Sequence, residues 1–213
     1  IPNSHIGVDR QFYPRLLFIS HLLSGHEITQ RIIGIASSLQ LLYLASEIHK
    51  YEGKKPQYPV LIGDYLYSES FGCLCKYEML DWLIPISKTI SNMQLGSIEK
   101  LKAGKSSIAR IDAIAKESAS LSKLTCSIGG RLAEIPQKTL EPFVELGNIL
   151  GLVYGLVQDK KLLPLFVFDY LESAKEQLIR LAAVCDNKDG IYVLNQVIKD
   201  LNKSFLNVQS KVG

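Results

Sequence analysis

The stretch that decides the fold is EITQRIIGIASSLQLLYLASEIHKY, residues 27–51. Apolar side chains recur at Ile28, Ile32, Ile35, Leu39 and Leu42, the three-and-four spacing of one helical face, with Leu44 beside them. Ile33, Leu41 and Ile48 widen the stripe until the helix is apolar on most sides, and such a helix must lie buried among others.

Working outward, the same periodicity returns from Pro59 to Cys75. It returns again from Tyr77 to Ala103, with a break or kink expected at Pro85 and a left-handed cap at Gly104. Further helices are predicted over Ser106 to Ala133, Leu140 to Gln158, Pro164 to Val184 and Gly190 to Asn207. Thr139 is placed to cap the helix that follows it, and Asp186 to Gly190 reads as a turn. No alternating strand pattern persists, and no linker, repeat or low-complexity tract divides the chain. The prediction is an all-α protein, one helical domain over residues 1–213.

Composition narrows the function classes. A hydrophobic fraction of 47% and a mean hydropathy of +0.12 indicate a packed core. A net charge of +3 with scattered basic residues gives no footprint for nucleic acid. No apolar run reads as long enough to span a bilayer, since Glu141, Glu145 and Asn148 interrupt the nearest one, Leu140 to Val157. The four cysteines, Cys73, Cys75, Cys126 and Cys185, follow no disulfide or metal framework and read as reduced thiols of a cytoplasmic protein. The four histidines lack ligand spacing.

Four segments, in order along most of the chain, resemble the trans-isoprenyl (polyprenyl) diphosphate synthase family. Val60-Leu61-Ile62-Gly63-Asp64-Tyr65-Leu66 resembles its apolar-Gly-Asp-Tyr/Phe-Leu helix. Glu117-Ser118-Ala119-Ser120-Leu121 resembles its Lys-Thr-x-x-Leu element. Leu146 to Tyr154 resembles the Gly-x-x-Leu-Gly-x-x-Phe run before the second aspartate cluster, and Tyr170 to Leu178 resembles a late amphipathic helix. The resemblance implies a single-domain antiparallel helix bundle of the isoprenoid synthase type around a central apolar cavity. It implies condensation of isopentenyl diphosphate with an allylic diphosphate. Such ionisation needs magnesium on the leaving diphosphate, cations on both diphosphates and a dry tunnel for the product.

The elements that carry this chemistry are degenerate. The first aspartate cluster should follow the long buried helix, but Glu47-Ile48-His49 leads into Lys50 at the first aspartate position. The second cluster reads Gln158-Asp159, leaving Asp159 as a lone carboxylate. Glu117 stands where the family has a lysine for the allylic diphosphate. The element that grips isopentenyl diphosphate resembles Asp9 to Pro14, where Arg10 keeps a charge and Gln11 and Tyr13 do not. Lys160 and Lys161, in a Lys-x-Thr-Leu-Pro-like stretch, remain as diphosphate contacts or as ordinary exposed lysines. The paths from His49 to Gly63 and from Asp159 to Pro164 are both shorter than the family's. Ala45 and Ser46, just before Lys50, are small where bulky aromatics would close the tunnel; they read as a long-chain tunnel wall or as close helix packing.

No catalytic residue and no metal ligand set is therefore expected in this chain, and magnesium is expected on a catalytic partner. Long-chain synthases resembling this family include heteromers, common in bacterial menaquinone side-chain synthesis, in which only one subunit carries the aspartates. The preferred reading is the non-catalytic or regulatory subunit of such a synthase, supplying interface and tunnel wall to an aspartate-containing partner. It would be inactive alone, cytoplasmic, and able to lie against a membrane that receives the product. One alternative is an active prenyltransferase. The other is an isoprenoid-binding or structural homodimer.

Overall fold

The computed structural model describes residues 11–50, 55, 57–104, 106–159 and 165–209, apart from the side chains of residues 165, 166, 208 and 209. Among them the chain is all-helical and contains no strand. The helices are α1 (Phe12–Ser24), α2 (Gln30–His49), α3 (Gln57–Lys76), α4 (Leu83–Lys102), α5 (Ser107–Ile114), α6 (Ser120–Leu132), α7 (Gln137–Gln158), α8 (Leu165–Val184) and α9 (Lys188–Gln209). A 3₁₀ turn, Leu80–Trp82, leads into α4, and a π-helical turn, Ala115–Ala119, joins α5 to α6 into one rod.

Local chemistry sets the ends. Thr29 Oγ1 accepts from Ile32 N at 3.4 Å and opens α2. Ser106 Oγ does the same for Ala109 N at the start of α5. Gly104 is left-handed (φ 57°), as the sequence predicts. Asn187 Oδ1 accepts the N–H groups of Asp189 and Gly190 at 3.0 and 3.2 Å, so the expected turn also starts α9. Pro85 lies in the first turn of α4, where its missing N–H breaks no helical bond, so the expected kink is a helix start instead. Thr139 is no cap either: α7 begins two residues earlier, and Thr139 Oγ1 donates to Val184 O at 3.1 Å, tying α7 to the end of α8.

α7 is the axis of the bundle, with thirteen of its 22 residues buried. It packs against α6, the π turn and α8; α3 covers α2; α1 lies on α6 and α9; and α4 lies on α5 and the π turn. Short connections between packed neighbours reverse the chain repeatedly and give the antiparallel bundle. The core runs from Leu16, Leu17 and Ile35 through Leu39 and Leu42 to Phe143, Leu146, Leu150 and Val153. The sequence reading found no run of spanning length, yet α2 and α7 pass by length and composition, with mean hydropathies of 1.2 and 1.4. Those windows are 56% and 67% buried inside the bundle, which accounts for their apolarity as that of core helices.

Close helix approach depends on small residues. Gly147, Gly151 and Gly155, four apart on α7, face Cys126, Ser122 and Ser118, four apart on the rod; a Cβ on any of these glycines would come within 2.6 Å of a side-chain atom. On the far side of the rod, a Cβ at Gly96 of α4 would sit 2.6 Å from Ala113 O and 2.7 Å from Glu117 N. The π turn is thus wedged between α4 and α7 with no room for a methyl on either side. Gly96→Ala should destabilise the protein by about 1–3 kcal/mol, because the obstacle is backbone and cannot swing away; a urea denaturation midpoint indistinguishable from the parent would refute the wedge.

Candidate functional site

The sequence-predicted positions Lys50, Glu117, Gln158 and Asp159 lie in the network of polar contacts where α2 and α7 end and where α4 and the π turn meet. Lys50 is the C-cap residue of α2, where a cation also meets the last carbonyls of the helix favourably. Its ammonium contacts Glu47 Oε1 on the preceding turn and lies 2.6 Å from Glu117 Oε1. Glu117 projects from the π turn and is 3% exposed. Its second oxygen, Oε2, meets Lys100 Nζ of α4, and Ser97 Oγ, one helical turn earlier, donates to Oε1 at 3.1 Å. Glu117 therefore bridges two lysines from two different helices. π turns of this kind gather at functional sites because the extra residue redirects a side chain.

A second pair closes the same region. Asp159, the C-cap residue of α7, would be repelled by that helix's carbonyl end, but Arg110 of α5 holds both its oxygens, Nη2 lying 3.0 Å from Oδ1 and 2.8 Å from Oδ2. Arg110 Nη1 also donates to Lys100 O at 3.4 Å and so joins the two pairs. Lys116, beside Glu117, turns the other way onto Glu99 at 2.7 Å. Four cations thus face four carboxylates, and the cluster carries no net charge.

The mutual pairing decides the protonation states. Burial favours the neutral form of Lys50, but the carboxylates of Glu47 and Glu117 outweigh it and hold its pKa above the ordinary lysine value. Burial likewise pushes Glu117 up, and Lys50 and Lys100 together pull it below the ordinary carboxylate value. Both groups are charged at neutral pH.

Magnesium, which the resemblance implies, does not fit these residues. A magnesium site needs convergent oxygens free of other cations. Here Glu47 and Glu117 already enclose an ammonium, and Asp159 is clamped by a guanidinium. Among the described residues, no three carboxylate, imidazole or thiolate groups are placed to share a metal ion.

Beside the network, aromatic rings pack into the middle of the bundle. Phe12 and Tyr154 stack at 4.3 Å, Tyr13 meets both edge-on, and Tyr154 donates its hydroxyl to that of Tyr43 at 2.9 Å. The Gln158 side chain also hydrogen-bonds Tyr43. The segment resembling the isopentenyl-diphosphate grip therefore sends Phe12 and Tyr13 into the core as the first turn of α1, a helix that the sequence reading did not identify. Ala45 and Ser46 are buried in α2. Arg10, Lys160 and Lys161 lie outside the described residues. Two open surface cavities, of about 660 Å³ between α6, α7 and α8 and about 300 Å³ beside α4 and α5, are not lined by Lys50, Ala45 or Ser46.

The Gly63-Asp64 pair has a local explanation. His49 Nε2 lies 3.2 Å from Val60 O and 3.4 Å from Asp64 Oδ1. A Cβ at Gly63 would enter the imidazole ring at 2.1 Å, so the glycine lets α3 close over the end of α2. Sequence reasoning missed Glu47, Ser97, Lys100 and Arg110. The available signal was indirect: a carboxylate on an apolar helical background must find a cation, but nothing in the spacing says which.

With this geometry, the chain is similar in fold to trans-prenyl diphosphate synthases. A decaprenyl diphosphate synthase from Rhodobacter capsulatus superposes with a TM-score of 0.76 at 12% identity, over 91% of this chain and 86% of that one. A geranyltranstransferase from Methanosarcina mazei gives 0.74 at 21%, over 95% and 87%. A deletion mutant of the heterotetrameric geranyl pyrophosphate synthase of mint gives 0.73 at 15%, over 88% and 81%. At such identities what is shared is the fold. No protein-family model and no curated protein matches the sequence.

The network makes stability depend on pH in a definite way. Glu117 has a depressed pKa, so its contribution is present above the unfolded value of 4.5 and is lost as pH falls below it. Lys50 has a raised pKa, so its contribution is present below the unfolded value of 10.5 and is lost as pH rises past the folded value. Glu117→Gln should lower stability at neutral pH by about 1–3 kcal/mol, because it takes the carboxylate from Lys100 and leaves Lys50 with Glu47 alone. The gap between parent and variant should shrink below pH 4.5. A gap that stays constant down to pH 3 (about one unit below the ordinary carboxylate value) would exclude ionised Glu117 as its source.

Proposed function

We propose that this chain is the non-catalytic or regulatory subunit of a heteromeric long-chain polyprenyl diphosphate synthase of isoprenoid or quinone side-chain biosynthesis. One observation supports the reading: a lysine ammonium lies between two carboxylates, at the position that the resemblance gives to the first metal-binding aspartate. A fixed ammonium charge there repels magnesium. The carboxylate of Glu117, where a cation would grip the substrate, disfavours diphosphate itself. The family's chemistry is thereby assigned to an aspartate-containing partner, which would hold the magnesium, while this chain supplies interface and, through Ala45 and Ser46, tunnel wall. Arg10, Lys160 and Lys161 are proposed as its remaining diphosphate contacts. In this reading the chain is cytoplasmic and meets a membrane only at its periphery, where product is delivered.

A surface suited to the partner is present. α2 turns most of its apolar side chains into its own core. α3 does not: Tyr58, Leu61 and Tyr65, at helical spacing on its outer face, are 56%, 63% and 61% exposed, and Val60 and Ile62 flank them. Leu80, Leu83 and Ile84 before and in α4 are exposed as well. Obligate interfaces bury more than about 2,000 Å² and are apolar at their centre. The heterotetrameric mint synthase shows that this fold occurs in heteromers.

The direct test is prenyl transfer from labelled isopentenyl diphosphate by this protein alone, by an aspartate-containing synthase chain from the same cell, and by the two mixed. Activity confined to the mixture, or well above the partner's own, is expected. Turnover by this chain alone would replace the reading with that of an active prenyltransferase, and a mixture no better than the partner would favour the homodimer. Leu61→Glu should abolish co-purification with the partner while leaving the melting temperature of the isolated chain within about 2 °C, because the side chain is exposed; retained association would move the interface elsewhere.

A further inference from the structure

We infer that the Lys50 ammonium is a tethered cation standing in for a divalent metal ion, so that this end of the bundle is electrostatically complete without metal and a cation site opens there only when Lys50 is removed. Glu47 and Glu117 sit on different elements, α2 and the π turn, yet both turn a carboxylate oxygen toward one point. Two ionised carboxylates turned toward one point repel each other, and only a cation between them lets both stay charged. In this chain that charge is covalently attached at the C-cap of the same helix that carries Glu47, so it is present at unit occupancy at every metal concentration.

The dimensions bear this out. The Lys50 Nζ to Glu117 Oε1 separation is 2.6 Å. Calcium accepts irregular oxygen sets at about 2.3–2.6 Å, whereas magnesium demands near-ideal octahedral geometry at about 2.0–2.1 Å, so a gap between carboxylates on two separate elements suits calcium better. Lys100 holds the other oxygen of Glu117, and Ser97 donates to Oε1. Removing Lys50 therefore leaves Glu117 partnered and the turn in place, with one uncompensated negative charge directed at the gap. The inference stands apart from the proposed partner role, since the mixing assay could fail with this geometry intact.

Lys50→Met keeps the chain length and removes the charge. Parent and variant are melted in chelator, in millimolar calcium and in millimolar magnesium, and calcium binding is measured by calorimetry. The parent should show the same Tm in all three and no calorimetric binding. Lys50→Met should melt lower in chelator and regain about 3 °C or more in calcium, with a smaller gain in magnesium. Adding Glu47→Gln should remove the gain. A parent stabilised by either ion, or a Lys50→Met chain indifferent to both, overturns the inference. Should Lys50→Met fail to fold in chelator, refolding in calcium is read instead, and failure there also counts against it. Lys50→Arg, which keeps the charge, should fold and ignore calcium; stabilisation of that variant by calcium would overturn the inference independently.

Discussion

The buried carboxylate of Glu117 is the constraint to which the rest of this site answers. An ionised group only 3% exposed loses its hydration, and without compensation it would be driven to the neutral form or would unfold its surroundings. Here it is compensated from two directions, by Lys50 at the end of α2 and by Lys100 on α4. That requirement fixes the relative positions of three elements distant in sequence. It also fixes the shape of the π turn, because the rod presents this carboxylate inward from the turn, with α4 and α7 packed on either side of it.

The packing around the turn follows from the same need. Lys100 meets the interior carboxylate from a helix that lies directly against the turn. Gly96 provides that closeness for α4, one turn before the residue that donates the charge. The ladder of Gly147, Gly151 and Gly155 provides it for α7, against Cys126, Ser122 and Ser118. Gly155, three residues before Gln158, is part of that ladder: a Cβ there would meet Ile114 and Ser118 at 2.6 Å, so this glycine lets the end of α7 lie against the rod.

The fold was legible because its signal is local. The periodicity of residues 27–51 and the glycine or polar residues at helix ends are short-range properties, and α2, α3, α7, α8 and α9 appear within a few residues of where the sequence puts them. α1 was obscured because Phe12, Tyr13, Leu16, Leu17, Ile19 and Leu23 leave little polar face to reveal a period, and because Asp9 to Pro14 invited a binding-loop reading. The degenerate positions Lys50, Glu117 and Asp159 were visible one at a time. Their partners were not, since the pairs join residues 67, 17 and 49 apart in the chain (Lys50–Glu117, Lys100–Glu117, Arg110–Asp159), and no helical spacing connects them.

Taken singly, each departure from the synthase pattern would be unfavourable. A lysine at position 50 facing the lysine that the resemblance expects at position 117 would place two cations together in a half-buried site. A glutamate at position 117 facing an aspartate at position 50 would place two carboxylates there, with Glu47 nearby. Only the exchange of both signs yields a neutral, closed arrangement, and the clamp of Arg110 on Asp159 completes it at the end of α7. The internal charge pairing of this site is thus a property of the set of charges rather than of any one residue. With no added cation, a single reversal leaves a charge buried without a partner, a state that costs several kcal/mol. The barrier between the two electrostatic solutions is therefore built into the same buried carboxylate that holds the bundle's end together.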